Sequence, residues 1–94
     1  MKLAIRSTKT YRKQYRKLAK SGYDMTTLGA AIDRLASGEL LPQQFHDHPL
    51  RGDFAGSREC HIGSDWLLRY SKDGKMLILF LISTGTHRDV LGIE

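Results

Sequence analysis

The spacing of apolar residues changes along this chain from helical to strand-like near its middle. Leu3 and Ile5 alternate with Lys2, Ala4 and Arg6, which predicts a short first strand. Ser7 or Thr8 can then cap a helix running to about Ser21, with Gly22 ending it. On that helix Lys9, Arg12, Lys13, Arg16, Lys17 and Lys20 share one face, and Tyr11, Tyr15, Leu18 and Ala19 the opposite one. A second helix is predicted from about Asp24 to Ser37. Its apolar face is Met25, Leu28, Ala31, Ile32, Leu35 and Ala36, and Gly38 stops it. The Gly22 turn is short enough to make the two helices antiparallel neighbours.

Pro42 and Pro49 mark an irregular stretch from about Glu39 to Asp53, rich in histidine and charge. Strand-like segments follow at about Ala55 to Ile62 and Trp66 to Ser71, and Asp73-Gly74 is a hairpin-turn signal. Met76 to Ile82 is apolar at every position, as in a central strand buried on both faces. A last short strand is expected from about His87 to Leu91. The expected order is β-α-α-β-β-β-β, an α+β fold with two N-terminal helices on one face of a mostly antiparallel, twisted sheet. With no repeat or linker in view, residues 1–94 read as one domain.

Composition changes this picture little, but charge changes it more. The 40% hydrophobic and 27% charged content is ordinary for a soluble domain. The lone Cys60 cannot form an internal disulfide, in keeping with a reducing cytoplasm, and its alternation with Ile62 suggests a buried thiol. No apolar run approaches a membrane span, and the basic N-terminus does not read as a signal peptide. Net charge is +5, yet residues 1–20 carry eight lysines and arginines and no acid, leaving the rest net negative. Such a concentration suits a polyanionic partner, nucleic acid or an acidic protein, and equally a solvated face that keeps the protein soluble.

Candidate chemistry lies in the second half. His46, His48, His61 and His87 are accompanied in sequence by Asp47, Glu59 and Asp65. Imidazole moves protons in either direction near neutrality. Cleavage of RNA needs two such transfers, one from the ribose 2′-OH and one to the departing 5′-oxygen, and a cation for the phosphoryl charge. Zinc binding by His46, His48 and His61 or His87 is the rival use, although no helical His-Glu-x-x-His or paired Cys-x-x-Cys accompanies them.

The blocks Asp47-His48-Pro49-Leu50-x-Gly52, Gly56-x-Arg58-x-x-His61, Asp65-Trp66-Leu67-Leu68-x-Tyr70 and Thr84-Gly85-Thr86-His87 resemble, in order and spacing, the YafQ branch of the RelE-like toxins. The resemblance implies a RelE-like fold and a metal-independent, cofactor-free endoribonuclease. Such a toxin cuts mRNA on the ribosome and is silenced by a cognate antitoxin; DNA is met only through that antitoxin complex. It implies a catalytic group of His48, His61, Asp65 and His87. His87 would be the proton donor, His48 or His61 the base, and Asp65 a support for a histidine. Arg58 and Trp66 fall in the same blocks and are expected at the substrate, Trp66 with its ring mostly packed and its N–H near the cleft. Under this reading Arg12, Lys13, Arg16 and Lys17 rest on ribosomal RNA.

Two positions depart from the family pattern. Ser83 stands where the family commonly has arginine, so Arg69, Arg88 or Arg51 is expected to supply the cation. Leu91 stands where an aromatic residue is common. These departures also admit a catalytically weak or inactive member that binds RNA or the ribosome.

Overall fold

The computed structural model describes residues 2–92. Strand β1 (Ala4–Ser7) leads into helices α1 (Lys9–Lys20) and α2 (Met25–Ala36). An irregular stretch carries two 3-10 turns, Gln43–Phe45 and Gly52–Phe54, on either side of the two-residue strand β2 (His48–Pro49). Strands β3 (Arg58–Gly63), β4 (Trp66–Asp73) and β5 (Ile78–Gly85) follow, then the short helix α3 (His87–Leu91). The sheet order is β1-β5-β4-β3-β2, and only β1 and β5 run parallel. This is the expected α+β class, two N-terminal helices on a mostly antiparallel sheet.

Local chemistry explains the first half. Thr8 Oγ1 caps α1 by accepting from Tyr11 N–H at 3.0 Å, and its hydroxyl donates to the Ile82 carbonyl at 2.6 Å. At the other end Gly22 is left-handed (φ 86°). Its N–H reaches the Ala19 carbonyl and Tyr23 N–H the Leu18 carbonyl, the paired bonds of a Schellman stop. Asp24 caps α2 through Thr26 N–H at 3.1 Å.

Tyr11 and Leu18 of α1 and Leu28 and Leu35 of α2 close one core with Cys60, Trp66, Leu68, Tyr70, Leu79 and Leu81. Tyr15 and Ala19, expected on the inward face of α1, are exposed. The inward place between Tyr11 and Leu18 is taken by Gln14, whose Oε1 accepts from Thr84 N–H at 2.9 Å.

Two strands start later than expected. Residues 55–57 belong to the turn before β3. Met76 and Leu77 form the tight β4–β5 turn, with Met76 66% exposed and Leu77 left-handed at φ 56°. The central strand therefore begins two residues later than the apolar run.

The larger correction is the last element, a helix where a strand was expected. Thr86 and Asp89 form a reciprocal capping box, Asp89 N–H to Thr86 Oγ1 at 3.1 Å and Thr86 N–H to Asp89 Oδ2 at 3.4 Å. Gly92, left-handed at φ 73°, ends the turn. Those two termini outweigh the strand propensity of Val90. Leu67 and Val90 are buried outside the main core cluster, where α3 lies against β4 and β5.

Register sorts the sheet into two faces, because directly paired residues project to the same side. Cys60, Leu68 and Thr84 form one row, and Arg58, Tyr70 and Leu81 another, both on the side of the core. Glu59, Arg69 and Ser83 project to the opposite face, as do His61, Leu67 and Gly85.

Candidate active site

Three elements bring the histidines to one rim. β2 pairs His48 with Glu59 on β3. His61 lies two residues further along β3, on the same face as Glu59. His87 opens α3, directly after β5. His61 sits at the centre, with ring centroids 5.6 Å from His46, 5.6 Å from His87 and 6.5 Å from His48.

Each flank is held by a carboxylate. Asp65 Oδ1 accepts from the His87 backbone N–H at 3.0 Å and lies 2.7 Å from its Nδ1. That contact occupies Nδ1, and the His87 side chain, followed by the His87 N–H, draws the Asp65 pKa below its ordinary value. Glu59 Oε1 lies 3.0 Å from His48 Nε2 and 3.8 Å from His61 Nε2. Glu59 is only 4% exposed, and its Oε2 has no partner within the protein. In sequence this acid stands near the histidines with no role assigned to it. The visible signal is its alternation with His61.

Partial burial lowers the His61 pKa below the ordinary histidine value. Glu59 opposes the shift, and the neighbouring imidazoles His87, His46 and His48 reinforce it. His61 is therefore the imidazole biased toward the neutral, proton-accepting form.

Several expected substrate contacts lie elsewhere. Arg58 alternates onto the core side of β3, where its Nε donates to Asp47 Oδ1 at 3.2 Å. Tyr70 Oη donates to the same oxygen at 2.5 Å. Desolvation works against the Arg58 charge, but bonds to Tyr70 and Asp47 outweigh it and raise its pKa. This network fastens the histidine-bearing loop to the sheet between His46 and His48.

Trp66 is also an element of the core. Its ring is 7% exposed and stands edge-on to Tyr23 at 5.1 Å, and its N–H is spent on Thr84 Oγ1 at 3.0 Å, not offered to the cleft. Arg69 shares the face of Glu59, but its guanidinium covers the Phe54 ring at 4.3 Å and its Nε donates to Ser57 Oγ at 3.0 Å. Ser83, in the row of Glu59 and Arg69, is buried with no partner for its hydroxyl. Arg51 is exposed at the start of the second 3-10 turn, and Arg88 is exposed beside His87. Cys60 is fully buried, and burial pushes its thiol up to about 12.

Basic side chains cover the outer face of α1, where Lys13, Arg16, Lys17 and Lys20 line a shallow groove. Arg12 turns back to donate to the Ser7 carbonyl at 2.7 Å. Among the described residues no helix is long and apolar enough to cross a membrane.

A basic helix beside a histidine rim on this α+β frame is the arrangement of a small toxin of a bacterial toxin–antitoxin pair. Residues 3–92 match the family described as bacterial toxin of type II toxin-antitoxin system, YafQ. The chain belongs to the YafQ family.

The mRNA interferase toxin YafQ of Escherichia coli strain K12 is 35% identical over 83 residues, 87% of this chain and 88% of that protein. An mRNA interferase is an endoribonuclease. The crystal structure of a copper-bound mutant toxin from Helicobacter pylori superposes with a TM-score of 0.88 at 34% identity, covering 94% of this chain and 98% of that one. YafQ in the crystal structure of the Escherichia coli DinJ–YafQ toxin–antitoxin complex gives 0.87 at 30% identity, covering 98% and 100%.

Proposed function

We propose that the histidine rim cleaves mRNA on the ribosome by 2′-OH attack, in the cytoplasm, and that a cognate antitoxin restrains it. The observation that carries this reading is the placing of His48, His61 and His87 around one point, with Glu59 and Asp65 behind them. His61, biased toward neutrality, removes the 2′-OH proton, and His48 beside it shares that duty through Glu59. The freed oxygen bonds to phosphorus as the bond from phosphorus to the 5′-oxygen breaks. His87, held by Asp65, gives its proton to the departing 5′-oxygen. The products are a 2′,3′-cyclic phosphate and a 5′-hydroxyl. We assign the phosphoryl cation to Arg88, the exposed arginine one position beyond His87.

The toxin reading is tested by inducing the chain alone in bacteria and mapping mRNA ends. Growth arrest with cyclic-phosphate ends is expected. His87→Ala should remove both while leaving the urea midpoint unchanged. A wild-type chain that neither slows growth nor cuts mRNA overturns the reading.

A second reading keeps the same residues but adds a metal ion. One ligand atom from each of His48, Glu59 and His61 lies within 4.8 Å of the others, and the Helicobacter pylori relative is described as copper-bound. Two imidazoles and a carboxylate are a fitting donor set for copper or zinc. It is not the set expected from sequence, since Glu59 replaces a third histidine. These residues would hold the ion, which would supply a Lewis acid beside the phosphate. Stoichiometric metal in purified protein, with activity lost to a chelator and restored by the ion, would favour this reading over the metal-free one.

A further inference from the structure

The cleavage chemistry uses the rim around His61 and leaves the space next to it unexplained. A cavity of about 740 Å³ opens beside β3, lined by Thr27, Gln44, Phe45, His46, His61 and Ser64 among others. It exists because the edge strand is short. β2 pairs only with Arg58 and Glu59, and just before it the chain turns through the left-handed conformation at His46 (φ 47°). Beyond Glu59, β3 is paired to β4 on one side and, among the described residues, has no strand on the other. Such an edge leaves peptide N–H and C=O groups available to a ligand.

The lining selects the occupant. Among the described residues no lysine or arginine is part of it, so a phosphate finds no fixed counter-charge there. It offers instead the flat rings of Phe45, His46 and His61 and the neutral hydrogen-bonding groups of Gln44, Thr27 and Ser64. His46 stands edge-on to His61 at 5.6 Å, joining the cavity to the rim. A flat, uncharged ring with a polar edge matches this surface, and single-stranded RNA offers such rings when its bases are splayed out.

We propose that the cavity is a nucleobase subsite, taking the base of a nucleotide flanking the scissile phosphate, with His46 stacking on it and Gln44 reading its edge. The subsite rests on the ribonuclease reading above. Its volume falls within the ordinary range of ligand pockets, about 300–1,000 Å³, and admits a nucleoside but not a duplex. The positions of Gln44 and His46 lie outside the residues assigned to the chemistry, so cutting and base choice are separable.

The experiment scores the bases on both sides of every cut made on ribosomes programmed with an mRNA library. Wild type should show a base preference at one flanking position, and Gln44→Ala should narrow that preference by about tenfold, the worth of one hydrogen-bonded base edge. Gln44 is exposed, and an unchanged urea midpoint verifies its variant's fold. His46→Ala, also on the exposed loop, should lower kcat/KM for all bases by about tenfold, as loss of stacking is sequence-tolerant. Wild-type cutting with no base preference, or with a profile that Gln44→Ala leaves unchanged, overturns the subsite while the ribonuclease reading stands. Absence of cutting by the wild type overturns both.

Discussion

At the scale of single residues, Asp65 and Glu59 hold different histidines, Asp65 contacting His87 and Glu59 contacting His48 and His61. Asp65 bonds both the backbone and the ring of His87, fixing the tautomer and direction of that imidazole. Asp65→Asn should therefore lower the cleavage rate by about 10²-fold with little change in KM, because it removes a proton-transfer alignment and not a grip on substrate. Single-turnover kinetics on programmed ribosomes check this.

His61 allows a pH prediction with a definite sign. Its folded pKa lies below the ordinary value of 6.5, so the unfolded chain binds the proton more readily than the native one. The stability owed to a neutral His61 is present above pH 6.5 and falls as pH drops from there through the lower folded value. Histidine NMR titration should place the His61 midpoint below that of a free histidine. A midpoint at or above the ordinary value would contradict the base assignment.

At the scale of elements, α3 and the histidine-bearing loop decide whether the rim assembles. Gly85 has φ 142°, and a Cβ there would sit 2.8 Å from Asp89 Oδ2, inside the capping box. Gly85→Ala should cost about 1–3 kcal/mol in urea denaturation, from backbone strain and a displaced cap. Activity should fall further than stability alone explains, because His87 moves with the start of α3. The loop depends on Asp47 in a similar way. Asp47→Ala leaves the Tyr70 hydroxyl and the Arg58 guanidinium without their shared acceptor and should cost about 1–3 kcal/mol. Tyr70→Phe, which removes one donor and leaves Arg58 on Asp47, should cost less. The ordering of the two urea midpoints checks the network.

At the scale of the whole molecule, charge and chemistry are separated in sequence but joined by one side chain. Gln14 on α1 accepts from Thr84 N–H, and its amide reaches the Asp89 carbonyl at 3.4 Å, so the basic helix is bonded to the strand and helix on either side of His87. Charge reversal at Lys13, Arg16 and Lys17 should weaken ribosome association at every mRNA sequence. It should also flatten the dependence of log K on log salt by about 0.7–0.9 for each phosphate the helix no longer neutralises. An unchanged slope would remove α1 from the ribosome-facing surface.

The sequence by itself determined the class of fold and named the candidate histidines of the site. Helical spacing over α1 and α2, their caps and the Gly22 stop are written in local chemistry that neighbours in sequence supply. The blocks carrying His48, His61, Asp65 and His87 are legible as a constellation by family resemblance. Alternation holds more than the burial of Cys60, since the same parity places Arg58 on the core side and Glu59 beside His61. The Thr86–Asp89 box and Gly92 likewise announce α3, although five residues are too few to show a helical period. Tertiary structure alone decided the rest, since each outcome depends on a partner distant in sequence. Thr84 claims the Trp66 N–H, Phe54 claims the Arg69 guanidinium, and the two-residue pairing of β2 opens the cavity beside His61. No spacing along the chain records which partner satisfies a buried donor, because that is settled by the packing that brings distant residues together.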